Sequence, residues 1–181
     1  MSYRPICDTW FLTRAKLRGG IKYYGAYLGG FPERARSLLG VTIKQPVLHV
    51  CGGMARQYPY ANGFGPNDKT LDLNPHCKPD YLQDARLPFP KGFAAILIDP
   101  PYSEADAEHY IVGANAYPSP NILVRNALNA LEVGQRVGII HYVLPAPQGG
   151  RFVAAIGVLS GFNNRIRCFS VYEAAEAGRE E

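Results

Sequence analysis

Long hydrophobic runs are missing from this chain of 181 residues. Nothing in it approaches the roughly 20 consecutive apolar residues that cross a bilayer. The first residues, "MSYRPICDTWFLTRAK", are charged and aromatic and lack the apolar centre of a secretory signal. Both absences set the expectation of a cytoplasmic protein. The four cysteines, Cys7, Cys51, Cys77 and Cys168, form no C-x-x-C pair, so free thiols are expected. His49, His76, His109 and His141 show no ligand spacing, and the adjacent His76 and Cys77 lack two further nearby ligands. No metal site is expected. The G-x-G-x-x-G fingerprint of dinucleotide binding is also absent.

What is present is an ordinary globular composition, 47% hydrophobic and 19% charged, of a length that suits one domain. The net charge of +4 is unevenly spread. Residues 1–44 hold eight basic side chains against two acidic ones, a net +6, which leaves −2 for the rest. Tyr3, Trp10, Phe11, Tyr23, Tyr24, Tyr27 and Phe31 interleave with those bases. Such a mixture suits a polyanion with stackable bases, and equally a basic face whose rings point into the core.

Residues 1–30 are glycine-rich and read as loop and turn. "FPERARSLLG" reads as a short helix, with Pro32 in its first turn and Gly40 ending it. The apolar runs "PVLHVC", "KTLDLN", "PDYLQDA", "FAAILID" and "QRVGIIHYVLP" read as strands, and "PSPNILVRNALNALEVG" as a helix with Asn121 near its cap. The end of the chain reads as two strands about "GFNN". Near-continuous apolar strands argue a mostly parallel sheet covered on both faces. The expectation is an α/β, Rossmann-like sheet with an antiparallel C-terminal edge hairpin. A basic, aromatic extension over 1–45 packs on a core over 46–173, and 174–181 form a disordered tail.

Ligands of such sheets bind beyond the carboxyl ends of the strands. There the chain places the turn Cys51-Gly52-Gly53, then Asp72, then Asp84-Ala85, then Asp99-Pro100-Pro101-Tyr102. Asp72 follows Gly52 by 20 residues, the spacing at which an acid reaches a ribose in nucleotide-binding folds. Asp72 also reads as a cap of the turn before Asn74-Pro75, and Asp84 as a cap of the turn into "LPFP" or as an acceptor for an adenine amino group. Asp99 is harder to assign to a turn. A carboxylate after "AAILI" is costly to bury without a partner. Two prolines fix φ and remove two N–H donors, which leaves carbonyl oxygens in set places. Asp99 and the Pro100 carbonyl can accept both N–H bonds of one exocyclic amino group, with Tyr102 flat on the attached ring.

"DPPY", set after an apolar strand and downstream of a glycine turn, resembles the catalytic motif of S-adenosylmethionine-dependent amino-methyltransferases of DNA, which modify adenine N6 or cytosine N4. Related RNA N-methyltransferases carry similar Asn/Asp-Pro-Pro-aromatic motifs. The resemblance covers residues 46–173, with motifs in family order. It implies S-adenosyl-L-methionine as cofactor, held by Cys51, Gly52 and Gly53, with Asp72 on its ribose and Asp84 and Ala85 at its adenine. It implies catalytic roles for Asp99, Pro100 and Tyr102. The implied reaction is methyl transfer to a base, adenine N6 in DNA first; the alternatives are an RNA N-methyltransferase or a catalytically silent nucleic-acid-binding subunit.

The family's strand-end acid and Gly-x-Gly pair are replaced here by "LHVCGGMA", with His49 and Met54 at about those positions. Little length remains for a target-recognition domain, so recognition is expected from short loops, a second copy of the chain or a partner subunit. Arg165 and Arg167 beside the last turn read as phosphate contacts or as the charged face of an exposed strand. "RQYPYANGFGPN" reads as a surface excursion or as a lid.

Overall fold

The computed structural model describes residues 4–13, 27–57, 63–110, 117–161 and 165–176. In chain order these form β1 (Ile6–Leu12), α1 (Phe31–Leu39), β2 (Val47–Val50), β3 (Lys69–Asp72), β4 (Tyr81–Leu82) and β5 (Ala95–Ile98). They continue with α2 (Glu104–Tyr110), α3 (Pro120–Ala130), β6 (Arg136–His141), β7 (Gly150–Ser160) and β8 (Ile166–Ala174). The strands make one eight-stranded sheet in the order β1-β7-β8-β6-β5-β2-β3-β4. Only β8 runs against its neighbours β6 and β7; every other pairing is parallel.

The expected sheet class and antiparallel closing pair are both present, but the pair is not at the edge as expected: β1 lies outside β7, so β7 and β8 are interior strands. The central strands β2 (VLHV) and β5 (AILI) are buried at every residue, as strands covered on both faces must be. On one face Phe31, Ala35 and Leu39 of α1 pack with Phe169 and Val171 of β8. On the other, Leu123, Val124 and Ala127 of α3 pack on Ile96, Ile98, Val137 and Ile139. Helix α1 ends where glycine allows, Gly40 taking φ 73° while its N–H bonds back to Arg36 and Ser37.

Residues 6–12 correct the reading of the first 30 residues as loop. They form a parallel strand on β7, in register from Ile6 against Ala154 to Leu12 against Ser160. Only Trp10 and Leu12 of this strand are buried, so its alternation is faint in sequence. Its partner lies at the far end of the chain, where no local pattern reaches. Helix α2 also went unread: its seven residues, EADAEHY, carry no apolar stripe. The N-terminal rings that are described favour the core. Trp10 packs on Phe31 and Phe169, with centroids 6.3 and 5.8 Å away, while Phe11 stays exposed. The expectations placed on Tyr3, Tyr23, Tyr24, Asn163, Asn164 and the tail from 177 lie outside the described residues, as do four of the eight N-terminal bases, Arg14, Lys16, Arg18 and Lys22. Among the described residues no helix is long and apolar enough to cross a membrane.

A buried ionic knot ties α1 and β2 to the segment before β3. Asp68 accepts from Arg36, from His49 Nε2 (3.1 Å) and from the N–H groups of Val47 (3.0 Å) and Gly65 (2.7 Å). Arg36 also donates to the carbonyls of Gly63 and Thr42. Burial works to raise the Asp68 carboxyl, but His49, Arg36 and the Gly65 N–H outweigh it and hold it below its ordinary value. Burial lowers His49 in spite of Asp68, so the ring is neutral, with Nε2–H donating to Asp68 and Nδ1 facing the Tyr27 hydroxyl at 3.3 Å.

Removing one member of such a knot strands the other charge out of water. Asp68→Ala should lower the free energy of unfolding by ~3–5 kcal/mol, measured from a urea transition. A loss below about 1 kcal/mol, the range of a surface pair, would show that the knot is not a support.

Candidate active site

The sheet order reverses between β2 and β5. From β2 the chain steps outward to β3 and β4, then returns to the other side of β2 as β5. A crevice opens at the carboxyl ends of strands at such a switch point. The turn after β2 forms one wall, and the segment after β5 the other.

The turn after β2 is tightly set. Cys51 and Gly53 have φ of 53° and 50°, the left-handed region that a residue with a side chain seldom adopts. A Cβ on Gly52 would lie 3.0 Å from both the carbonyl oxygen and the Cβ of His49, so the second position needs glycine for space. Asp72, at the end of β3, braces this turn. It accepts from Gly53 N–H (2.9 Å) through Oδ2 and from Asn74 N–H (2.9 Å) through Oδ1. Burial raises its carboxyl, and the backbone donors offset only part of that. The turn-capping role weighed for Asp72 is therefore real, and it includes the glycine turn itself.

Asp84 has a partner that the sequence did not disclose. The Arg86 guanidinium binds its carboxylate with Nε 3.1 and 3.0 Å from the two oxygens and Nη2 2.6 Å from Oδ2, and Arg86 N–H adds a bond of 2.8 Å. Arg86 holds the Asp84 carboxyl below its ordinary value. The next residue, Ala85, is buried, and its carbonyl accepts from Asn126 of α3, which also bonds the carbonyls of Arg86 and Leu87. Asn126 thus ties the segment after β4 to α3. The three acids converge: burial first, then Asp72, Asp99 and Asp84, push the Cys51 thiol well above its ordinary range. That thiol is neutral and no nucleophile.

Asp99 stands at the end of β5, its N–H bonded to the Val50 carbonyl of β2 at 3.1 Å. Its side chain is half-buried beside the crevice. Burial pushes its carboxyl up to about 6 from an ordinary 3.8, while the Tyr102 hydroxyl and the Arg167 charge pull it down. Tyr102 donates to Oδ1 at 2.7 Å, and no other described residue bonds this carboxylate. The ring expected to lie flat on a base points its hydroxyl at Asp99. It meets His141 edge-on at 5.5 Å, Tyr142 at 4.7 Å and the Arg167 guanidinium at 5.4 Å. His141, the last residue of β6, accepts Val143 N–H on Nδ1 (2.9 Å), and its Nε2 lies 3.4 Å from the Tyr117 hydroxyl. Burial lowers the pKa of His141 and keeps it neutral.

No protein-family model matches the chain, and no curated protein matches it. Solved structures do. TrmN from Thermus thermophilus superposes with a TM-score of 0.61 at 21% identity, covering 89% of this chain and 51% of that one. A putative S-adenosylmethionine-dependent methyltransferase from Streptococcus mutans gives 0.50 at 15% identity, over 82% and 50% of the two chains. SMU.1697c, a putative methyltransferase from Streptococcus mutans in complex with S-adenosylhomocysteine, gives 0.50 at 11% identity, over 78% and 96%. The fold is that of the S-adenosylmethionine-dependent methyltransferases. The chain spans about half the length of the first two of these structures.

The raised Asp99 carboxyl has a consequence for stability. A folded value above the unfolded one favours the protonated folded state, so this group's contribution is complete below about pH 4 and is lost as pH rises through about 6. Above that, the enclosed charge costs on the order of 2–3 kcal/mol. Asp99→Asn should therefore raise the melting temperature at pH 8 and raise it less at pH 5. An equal change at both values would mean that Asp99 titrates normally.

Proposed function

We propose that this protein transfers a methyl group from S-adenosylmethionine to an exocyclic amino nitrogen of a nucleic-acid base. The observation that carries the reading is Asp99. It is a carboxylate at the switch point of a methyltransferase fold, raised to about 6 and met by a single donor among the described residues. The prolines that follow it hold their carbonyls without local N–H competitors.

The turn Cys51-Gly52-Gly53 and the acids Asp72 and Asp84, with Ala85, would hold the cofactor. The donor set suits it: a turn without side chains at two of three positions, and carboxylates that accept ribose hydroxyls and an amino group. Asp72 keeps lone pairs beyond its two backbone bonds, whereas Asp84 already serves Arg86, so Asp72 is the firmer contact. The cofactor supplies an electrophilic sulfonium methyl.

The chain's own residues would prepare the nucleophile. An aromatic amine reacts poorly because its lone pair is shared with the ring. Asp99 and the Pro100 carbonyl would accept its two N–H bonds and draw the nitrogen toward tetrahedral geometry. The Tyr102 hydroxyl gives up its bond to Asp99 Oδ1 as the amine arrives. The amino proton then leaves to a carboxylate whose pKa, near 6, suits it as an acceptor close to neutral pH.

RNA stands ahead of DNA as the polymer on a physical argument: unstacked RNA bases are commonly held by aromatic rings and arginine planes, and the site mouth carries both. Adenine N6 in DNA is the narrower alternative that the tetrapeptide suggests. In duplex DNA the base must first be flipped out of the stack.

The test is to incubate the protein with labelled S-adenosylmethionine and RNA, DNA or free nucleosides, and to identify the modified base by mass spectrometry. An N-methylated base is expected, with RNA the better substrate. Asp99→Ala should abolish transfer yet keep cofactor affinity in calorimetry. Asp99 must be ionised to accept, so kcat/KM should rise about tenfold per pH unit below about 6 and level above it. No cofactor binding by the intact protein would sink the proposal.

A further inference from the structure

Beyond the clamp, a ladder of rings and cations leads from Asp99 to the surface. The Arg167 guanidinium lies 5.4 Å from the centre of the Tyr102 ring. The Tyr102 and Tyr142 rings are 4.7 Å apart and tilted by 47°. Arg165 then covers Tyr142 at 5.9 Å and donates from Nη1 to its hydroxyl at 3.1 Å. The antiparallel pairing of β6 with β8 builds this ladder. His141 stands opposite Cys168, so the residues leaving β6 meet the arginines entering β8.

Three features of the ladder exceed what packing needs. Its outer ring, Tyr142, is 38% exposed, and Val143 and Leu144 beside it are more exposed still, an apolar lip at the mouth of a polar site. Arg167 Nε is buried with no hydrogen-bond partner among the described residues, a cost that a purely structural arginine would avoid. Both arginines sit on rings, the arrangement that single-stranded nucleic acids use for bases and phosphates together.

Resting on the reading of the clamp as a base-amino site, the geometry points to Tyr142 and Arg165 as the site of the nucleotide next to the target. Tyr142 stacks the neighbouring base of a single strand, and Arg165 pairs with its phosphate. Tyr102 turns inward to Asp99, so the exposed plate of the site is Tyr142. Substrates are thereby selected as unpaired segments of at least two nucleotides, not as free nucleosides. The shared chemistry is a stackable base with a phosphate, which single-stranded RNA and DNA both supply.

Fluorescence anisotropy with a labelled ten-nucleotide single strand, as RNA and as DNA of the same sequence, tests this with S-adenosylhomocysteine present. Tyr142→Ala should weaken binding by roughly tenfold, in the range of one lost base stack. Tyr142→Phe keeps the ring and should stay within about threefold of the intact protein. Arg165→Ala should flatten the slope of log affinity against log salt by about 0.7, one phosphate contact on a single strand. Calorimetric affinity for S-adenosylhomocysteine should be the same in all three, which shows that the fold is intact. Tyr142→Ala binding as tightly as the intact protein overturns the inference, and so does an equal loss in Tyr142→Phe. If the strand is methylated but indifferent to Tyr142, only this inference fails. If Tyr142-dependent binding occurs with no methyl transfer, the catalytic reading fails and the site stands.

Discussion

A carboxylate at the end of a strand as apolar as AILI has few ways to stay charged. In this protein Asp99 is held by one hydroxyl and one guanidinium at some distance, and both come from residues that also shape the mouth of the crevice. The rest of the site follows from that constraint. The two prolines after Asp99 withhold the backbone donors that would otherwise satisfy it. Tyr102 supplies the missing donor from its own side chain. The carboxylate is thereby kept under-coordinated and near its titration point, the state in which an acceptor is most responsive to a new donor.

The opposite wall is built on the reverse principle. Asp72 is engaged by two backbone N–H groups and fixes a turn whose first and third residues are in the left-handed region. Behind it, Asp68 is fully engaged by Arg36, His49, Val47 and Gly65. Gly52 leaves no space between the turn and His49, so the satisfied knot backs directly on the turn. The crevice thus has a rigid wall of satisfied acids and a responsive wall with an unsatisfied one. The first suits a cofactor bound in one pose, and the second the proposed base, which must enter and leave.

Local pattern and site chemistry were legible to different degrees. The buried strands β2, β5 and β6 announce themselves as apolar runs, α3 through its helical spacing, and α1 through the proline in its first turn and the glycine that ends it. "DPPY" is legible because its chemistry is confined to four consecutive residues. What depends on distant pairing was not. β1 finds its partner in β7 across nearly the whole chain, with only two buried side chains to mark it. Arg86 was two residues from Asp84 in plain view, yet only the turn geometry closes the ion pair. His141 and Tyr142 read as the end of a strand; the β6–β8 register is what brings them to Tyr102 and Arg167. What the motif did not disclose is orientation: the Tyr102 hydroxyl faces the Asp99 carboxylate.

The central claim is that Asp99 hovers between its two protonation states near neutral pH because the fold encloses it. The direct measurement is a carbon NMR titration of protein labelled at the aspartate side-chain carboxyls, with Asp99→Asn to assign the signal. One carboxyl should titrate near 6 and vanish in Asp99→Asn. If the signal that disappears titrates near the ordinary 3.8 instead, the enclosure does not govern Asp99 and the account of the clamp is wrong.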